Sequence, residues 1–301
     1  MDTFLQQLVN GLVMGCMYAM VALGYTMVYG IISLINFAHG EVLMVGAMVA
    51  WTLITAMQDA GSTLPGWLQL VIGMGGAVAV CAFLNFSIER IAYRPLRNAP
   101  RLAPLITAIG MSVLLQALAM VIWKPTPKPF PNVLPLEIYE VHGAIITSTH
   151  LLIFAVTGAL LGGLLWLVHK TSLGRAMRAT AENPKVAALM GVRPDRVISS
   201  TFVIGAVLAA VTGILWAMNY GTAQHSMGFL PGLKAFTAAV LGGIGNLGGA
   251  VLGGILLGLI EAFGSGYLSS RYVDVLAFVT LIVVLTMRPS GLLGERVADR
   301  A

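Results

Sequence analysis

KTSLGRAMRATAENPKVAALMGVRPDR, residues 170–196, is a charged island between long apolar runs, and it carries its own helix punctuation. Asn183-Pro184 reads as an N-cap followed by the first helical residue. The Asn side chain can accept from an unpaired amide, and Pro has no amide to leave unpaired. Gly191 falls where a left-handed residue would close the helix, so Pro184 to Met190 is predicted as a short helix of about two turns, roughly 10 Å long. Glu182, Asn183 and Pro184 open it, and Val186, Ala187, Leu189 and Met190 give it small or apolar side chains where a solvated loop would be polar. A helix with such a face, standing outside a membrane, needs a partner to cover it.

The runs on either side set the class. Of the 301 residues, 58% are hydrophobic and only 10% charged, where a soluble domain carries roughly a quarter charged. Mean hydropathy is +0.89, and several runs approach or exceed the ~20 residues that cross a bilayer as helix. The predicted fold class is an all-α polytopic membrane protein. The pI near 9.4 does not argue for nucleic acid, because the basic residues gather in loops, where they set topology. Cys16 and Cys81 lie inside apolar runs and read as two buried free thiols, with a disulfide as the alternative. Ahead of the first run Asp2 is the only charge, so that run is expected to be a retained span and not a cleaved signal.

Apolar segments run over residues 8–30, 37–57, 67–88, 104–123, 151–168, 201–218, 235–248, 250–268 and 273–287. Most Lys and Arg fall in three places: Arg90, Arg94, Arg97 and Arg101; Lys170, Arg175, Arg178, Lys185, Arg193 and Arg196; and Arg288, Arg296 and Arg300. The positive-inside rule puts all three in the cytoplasm, with the N-terminus outside and the tail inside. Segments 37–57 and 235–248 each read as a half-membrane or broken helix, so eight or nine spans are expected. WKPTPKPFPNVLP, residues 123–135, has too many prolines for helix and is read as an extended external loop. One transmembrane domain over 1–301 follows: a first half 1–123, an external loop 124–150, a connecting span 151–168, a cytoplasmic coupling loop 170–196 and a second half 201–288. The halves run in opposite directions, each with a polar, Gly-containing interruption: NFAHGE (36–41) and GGIGNLGG (242–249). That pattern points to an inverted repeat around a transport pathway.

GIGNLG at 243–248 fits a dinucleotide-binding GxGxxG, but it is embedded in apolar sequence and not in a soluble βαβ unit. It is read instead as a turn or broken helix at membrane depth, with packing and pathway roles both open for Gly243, Gly245 and Asn246. In NFAHGE, His39 and Glu41 do not share a helix face and no metal spacing appears. Two readings stay open: a cytoplasmic turn with Glu41 at the next helix start, or Asn36, His39, Gly40 and Glu41 lining or gating a pathway. GALLG (158–162), GAVLG (249–253) and GILLG (254–258) predict close helix packing. Lys234, Glu261 and Asp274 read as end-of-segment charges that reach water. The chain has no P-loop, no GxSxG and no Cys/His metal spacing, which argues against an enzyme.

Taken together, GYTMVYGIISLINFAHGEVLMVGA near the front, RATAENPKVAALMGV in the island and LKAFTAAVLGGIGNLGGAVLGG near the end resemble a permease of a bacterial ATP-binding cassette importer. More narrowly the chain resembles the branched-chain amino acid family, in its shorter, LivH-type permease, over essentially its whole length. The resemblance implies the ABC-importer permease fold, in the bacterial inner membrane. It also implies two cytoplasmic ATPase subunits, a homologous second permease and a periplasmic amino-acid-binding protein as partners, with lipid around them. No cofactor is expected on this chain, since ATP and Mg would be held by the ATPase subunits. Such permeases dock on their ATPases through a loop helix with an EAA-x-x-x-G pattern. Aligned on Gly191, Lys185-Val186-Ala187 falls where EAA would be, so only the last Ala matches and the nearest acid is Glu182. The implied coupling residues are therefore Glu182, Asn183, Pro184, Val186, Ala187, Leu189, Met190, Gly191 and Arg193. The implied cargo is leucine, isoleucine or valine, although related permeases carry urea, amides or other amino acids. The rival class is an ion-driven carrier or channel, which would want a buried carboxylate or cation pair.

Overall fold

In the computed structural model each apolar run forms helix, and prolines inside helices are confined to first turns (Pro104, Pro184, Pro194, Pro231), where no amide partner is lost. Residues 2–32, 34–97, 99–100, 102–141, 143–288 and 290–294 are described; Arg101, His142, Arg296 and Arg300 lie outside them. The chain runs α1 (Asp2–Ile32), α2 (His39–Asp59), α3 (Gly66–Ile88) and α4 (Leu102–Trp123). After a loop come α5 (Ser148–Lys170), α6 (Ser172–Glu182), α7 (Pro184–Leu189) and α8 (Pro194–Tyr220). The last helices are α9 (Phe229–Gly242), α10 (Leu247–Tyr267) and α11 (Val273–Met287). A π-turn, Glu89–Tyr93, and a 3-10 turn, Arg94–Leu96, extend α3. Among the described residues, eight helices are long and apolar enough to cross a membrane. The exception among the apolar segments is α9, whose 14 residues reach only about 21 Å.

The loop over 124–147 folds onto one end of the bundle. Its strand β1 (Lys128–Pro129) pairs antiparallel with β4 (Thr222–Ala223), and β2 (Ile138–Val141) pairs with β3 (Ala144–Thr147) as a hairpin. The pairing of β2 with β3 was not expected; the proline-rich part is extended, as anticipated. Trp51 Nε1 donates to the Pro129 carbonyl at 3.0 Å, and the Ile145 amide donates to Gln6 Oε1 at 2.7 Å. The end of α2 and the start of α1 therefore lie at this loop end. The island lies at the other end, and so do residues 290–294, whose Leu292 and Leu293 amides donate to the carbonyls of Leu241 and Gly242.

Helices α1 and α8 form the centre. Small residues let α1 and α10 come into backbone contact: a Cβ on Gly15 would lie 2.7 Å from the Ile255 Cα, and one on Gly254 would lie 2.5 Å from the Ala19 amide. This is the packing expected of GILLG at 254–258. GALLG at 158–162 does not behave the same way. Gly158 and Gly162 have nothing within 4 Å of a built Cβ, because α5 is peripheral and turns that face outward.

Helices α2 and α9 both begin partway along the bundle, α2 buried and α9 with Phe229 and Leu230 exposed. The His39 ring lies against Gly24 of α1 and Gly205 of α8, roughly 12 Å and 16 Å along those helices from their island ends. NFAHGE is therefore not a turn at the bundle surface. A Cβ on Gly40 would lie 2.5 Å from the Gly228 carbonyl oxygen and 3.0 Å from the Gly232 Cα. The chain thus enters from the island end over 34–38 and from the loop end over 221–228, and the two helix starts meet at depth. From there α2 runs to the loop end and α9 to the island end. Segment 37–57 is a continuous helix from His39 onward, and 235–248 is the end of a short helix followed by a turn and the start of α10. GGIGNLGG is that turn: Gly243 (φ +106°) and Gly245 (φ +99°) sit in the left-handed region that favours glycine, and Asn246 caps α10 by accepting from the Gly249 amide at 3.0 Å. Its expected place at membrane depth is taken by residues 224–232.

Candidate functional site

The island helix forms for the local reasons the sequence offers. Asn183 Oδ1 accepts from the amides of Lys185 (3.0 Å) and Val186 (3.2 Å), Pro184 occupies the first helical position, and Gly191 follows the cap with φ +86°. Val186, Leu189 and Met190 are 52%, 86% and 81% exposed. Ala187 is 3% exposed and does not belong to that face. It lies on the opposite side of a six-residue helix packed on α6 and α8, and its carbonyl closes the cap by accepting from Met190 and Val192. Glu182 ends α6 and Arg193 precedes α8, both exposed. Helix α6 itself was not anticipated. Its signal was Thr171, which caps it through Gly174, and a buried stripe of Gly174, Met177 and Thr180.

The residues of NFAHGE come together where α2 begins. Asn36 Oδ1 accepts from the Tyr93 hydroxyl at 2.9 Å, and the His39 amide donates to the Asn36 carbonyl at 3.0 Å. Glu41, fully buried, accepts through Oε1 from Gln116 Nε2 (2.7 Å) and Ser112 Oγ (3.1 Å) of α4, while its Oε2 has no hydrogen-bond partner among the described residues. Tyr25 stands edge-on to His39 at 4.9 Å, and Phe37 and Tyr25 both touch Phe236 of α9. A cavity of about 60 Å³ between Tyr25, Ser112 and Phe229 adjoins this cluster. Gly243, Gly245 and Asn246 lie apart from it. Gly245 and Asn246 line an island-end groove of about 1020 Å³ with His169 and Arg178, and Gly243 packs against Gly291 and Gly294.

Two ionic networks were missed. At the loop-facing side, Lys234 Nζ of α9 bridges Glu261 (3.0 Å) and Asp274 (2.6 Å), and Tyr18 donates to Glu261 at 2.8 Å. Lys234 and Glu261 are buried and do not reach water as end-of-segment charges would; only Asp274 is half exposed. At the island end the buried Glu89 is held by Arg94, Arg97 and Ser199, and Arg97 also binds Asp195 at 2.6 Å. The sequence signal for the first network was present, since a lone charge inside an apolar run is costly unless paired. Its partners are too far apart along the chain to be matched by spacing.

Two helix starts that meet at depth, in a bundle with eight membrane-length apolar helices among the described residues, are the arrangement expected of a membrane permease. The profile described as branched-chain amino acid transport system / permease component matches residues 7–285. The high-affinity branched-chain amino acid transport system permease protein BraD of Pseudomonas aeruginosa is 48% identical over 297 residues, covering 97% of this chain and 96% of that one. LivH of Escherichia coli K12, of the same description, is 46% identical over 296 residues, with 97% and 96% coverage. A probable LivH of Methanocaldococcus jannaschii is 28% identical over 91% of this chain and 88% of its own. The chain belongs to the branched-chain amino acid permease family of ATP-binding cassette importers. It is a transporter subunit and not an enzyme, and ATP hydrolysis lies on separate subunits. The buried Glu41 and Lys234–Glu261 would by themselves suit an ion-driven carrier; family membership decides against that class.

Proposed function

We propose that this subunit passes leucine-, isoleucine- and valine-type amino acids from the periplasm to the cytoplasm across a bacterial inner membrane. The observation that carries the reading is identity of 46–48% over nearly the whole length to permeases of high-affinity branched-chain amino acid systems. The pathway runs past the meeting of α2 and α9, where Asn36, His39, Gly40 and Glu41 gather. The dipole at the exposed start of α9 favours a carboxylate, and a buried carboxylate such as Glu41 favours an ammonium group, so a zwitterion suits the place. Gly243, Gly245 and Asn246 serve the cytoplasmic mouth.

Two ATPase subunits engage the exposed Val186, Leu189 and Met190 of α7 and of its counterpart on a homologous second permease; ATP and Mg stay on the ATPases. Their closure pushes these helices and switches access from one side to the other. A periplasmic binding protein delivers the amino acid at the loop end. The start of α1 at the loop end and residues 290–294 at the arginine-rich island end support a periplasmic N-terminus and a cytoplasmic C-terminus. Reconstitution with the neighbouring subunits tests the reading: leucine uptake should require ATP, the ATPases and the binding protein. Uptake by this chain alone, without nucleotide, would overturn it.

A further inference from the structure

At the island end a groove of about 1050 Å³ lies on α8, between the extension of α3 and the end of α5. Its two walls change character in the same direction. Along the α3 wall Arg94 and Arg90 give way to Phe86; along α8, Arg196 gives way to Ser200 and then Val203 and Ile204. Each change takes about two helical turns, roughly 10 Å, and Leu167 of α5 completes the apolar part. The groove is therefore cationic at the rim and apolar toward the middle of the bundle.

The charge is unbalanced. Four arginines line the groove, Arg193 being the fourth, against one acid, Asp195. Asp195 is already held by Arg97 at 2.6 Å and Arg94 at 3.8 Å, and Arg94 also pairs with Glu89. Among the described residues Arg90, Arg193 and Arg196 are exposed and have no ion pair. The flanking helices are long and apolar enough to span, so the rim stands at the height where lipid head groups join the acyl chains. Basic pockets between spans at that height select anionic heads.

We propose that this groove binds an anionic phospholipid, with its phosphate among Arg90, Arg193 and Arg196 and its acyl chains along Phe86, Leu167 and Ile204. Because the groove opens beside α7, an occupied site would brace the start of α8 against the coupling helix. The test is native mass spectrometry of the full chain in detergent, with phosphatidylglycerol and phosphatidylcholine of matched chains. The wild type should retain phosphatidylglycerol in preference. Arg90→Gln with Arg196→Gln should lower that retention by roughly fivefold for each charge removed, to the level of phosphatidylcholine. Arg175→Gln, exposed on α6 and outside the groove, should keep it. Ile204→Trp, which fills the apolar end and leaves every charge, should also lose the lipid. Equal retention of the two lipids by the wild type, or unchanged preference in the double variant, overturns the proposal. So does displacement by millimolar inorganic phosphate with Ile204→Trp unaffected, since the site would then be one for free phosphate. A melting curve in the same detergent establishes that each variant is folded.

Discussion

Lys234 contacts two carboxylates at once, and one of them, on Glu261, is buried with the Tyr18 hydroxyl as its other partner. Removing the cation would strand a charge in a low-dielectric interior, which typically costs about 3–5 kcal/mol, whereas removing both members leaves no buried charge unpaired, only the Tyr18 hydroxyl without its acceptor and the half-exposed Asp274 in reach of water. Lys234→Met is therefore expected to lower the melting temperature of the purified protein sharply, and Lys234→Met with Glu261→Leu to recover most of the loss. A double variant no more stable than the single one would show that the pair is not coupled. In the sequence residues 234 and 261 read as end-of-segment charges that reach water, and the structure buries both. What could not be read is that each is the other's partner, because nothing in local spacing relates α9 to α10. Ala187 teaches the reverse lesson: its apolarity was legible, but which side of a six-residue helix faces outward depends on where α6 and α8 lie.

Among the elements, α7 and the α1–α10 pair make opposite demands. Leu189 and Met190 are exposed and touch little in this chain, so Leu189→Asp with Met190→Asp should leave membrane abundance unchanged. Leucine uptake by the assembled importer should fall at least tenfold and ATP hydrolysis should lose its dependence on binding protein; unchanged uptake would remove α7 from the ATPase contact. Asn183→Ala should weaken the same loop by about 1 kcal/mol through loss of its cap, read as faster amide hydrogen exchange over residues 184–190. In α10, Gly258→Leu should abolish accumulation of folded protein, because Gly258 meets the Gly15 backbone and a side chain there would force the helices apart. Gly162→Leu should accumulate normally. The two glycines sit in like-looking sequence patterns, and only their places in the bundle separate them.

At the scale of the molecule the two ends are chemically distinct. The loop end carries the start of α1 and the β2–β3 hairpin; the island end carries most of the described arginines and residues 290–294. Tyr139→Cys, exposed on β2, should react with a membrane-impermeant maleimide in cells whose outer membrane alone is opened. Lys185→Cys should react only after the inner membrane is broken. The opposite pattern would invert the proposed topology. Native Cys16 and Cys81 are half-buried and buried free thiols, so background labelling is expected to be low.

By itself the sequence determined what depends on neighbours along the chain. Twenty apolar residues make a span wherever they lie, and Asn-Pro followed by Gly makes a capped turn within one short stretch. The clustered arginines bias which end stays inside. The tertiary structure alone decided the depth at which α2 and α9 begin and the pairing of Lys234 with Glu261. It also decided which glycines are contacts and which face outward. Those outcomes rest on backbones meeting at Gly15, Gly40 and Gly258, between segments as much as 243 residues apart. Separations of that size leave no periodic trace in one chain.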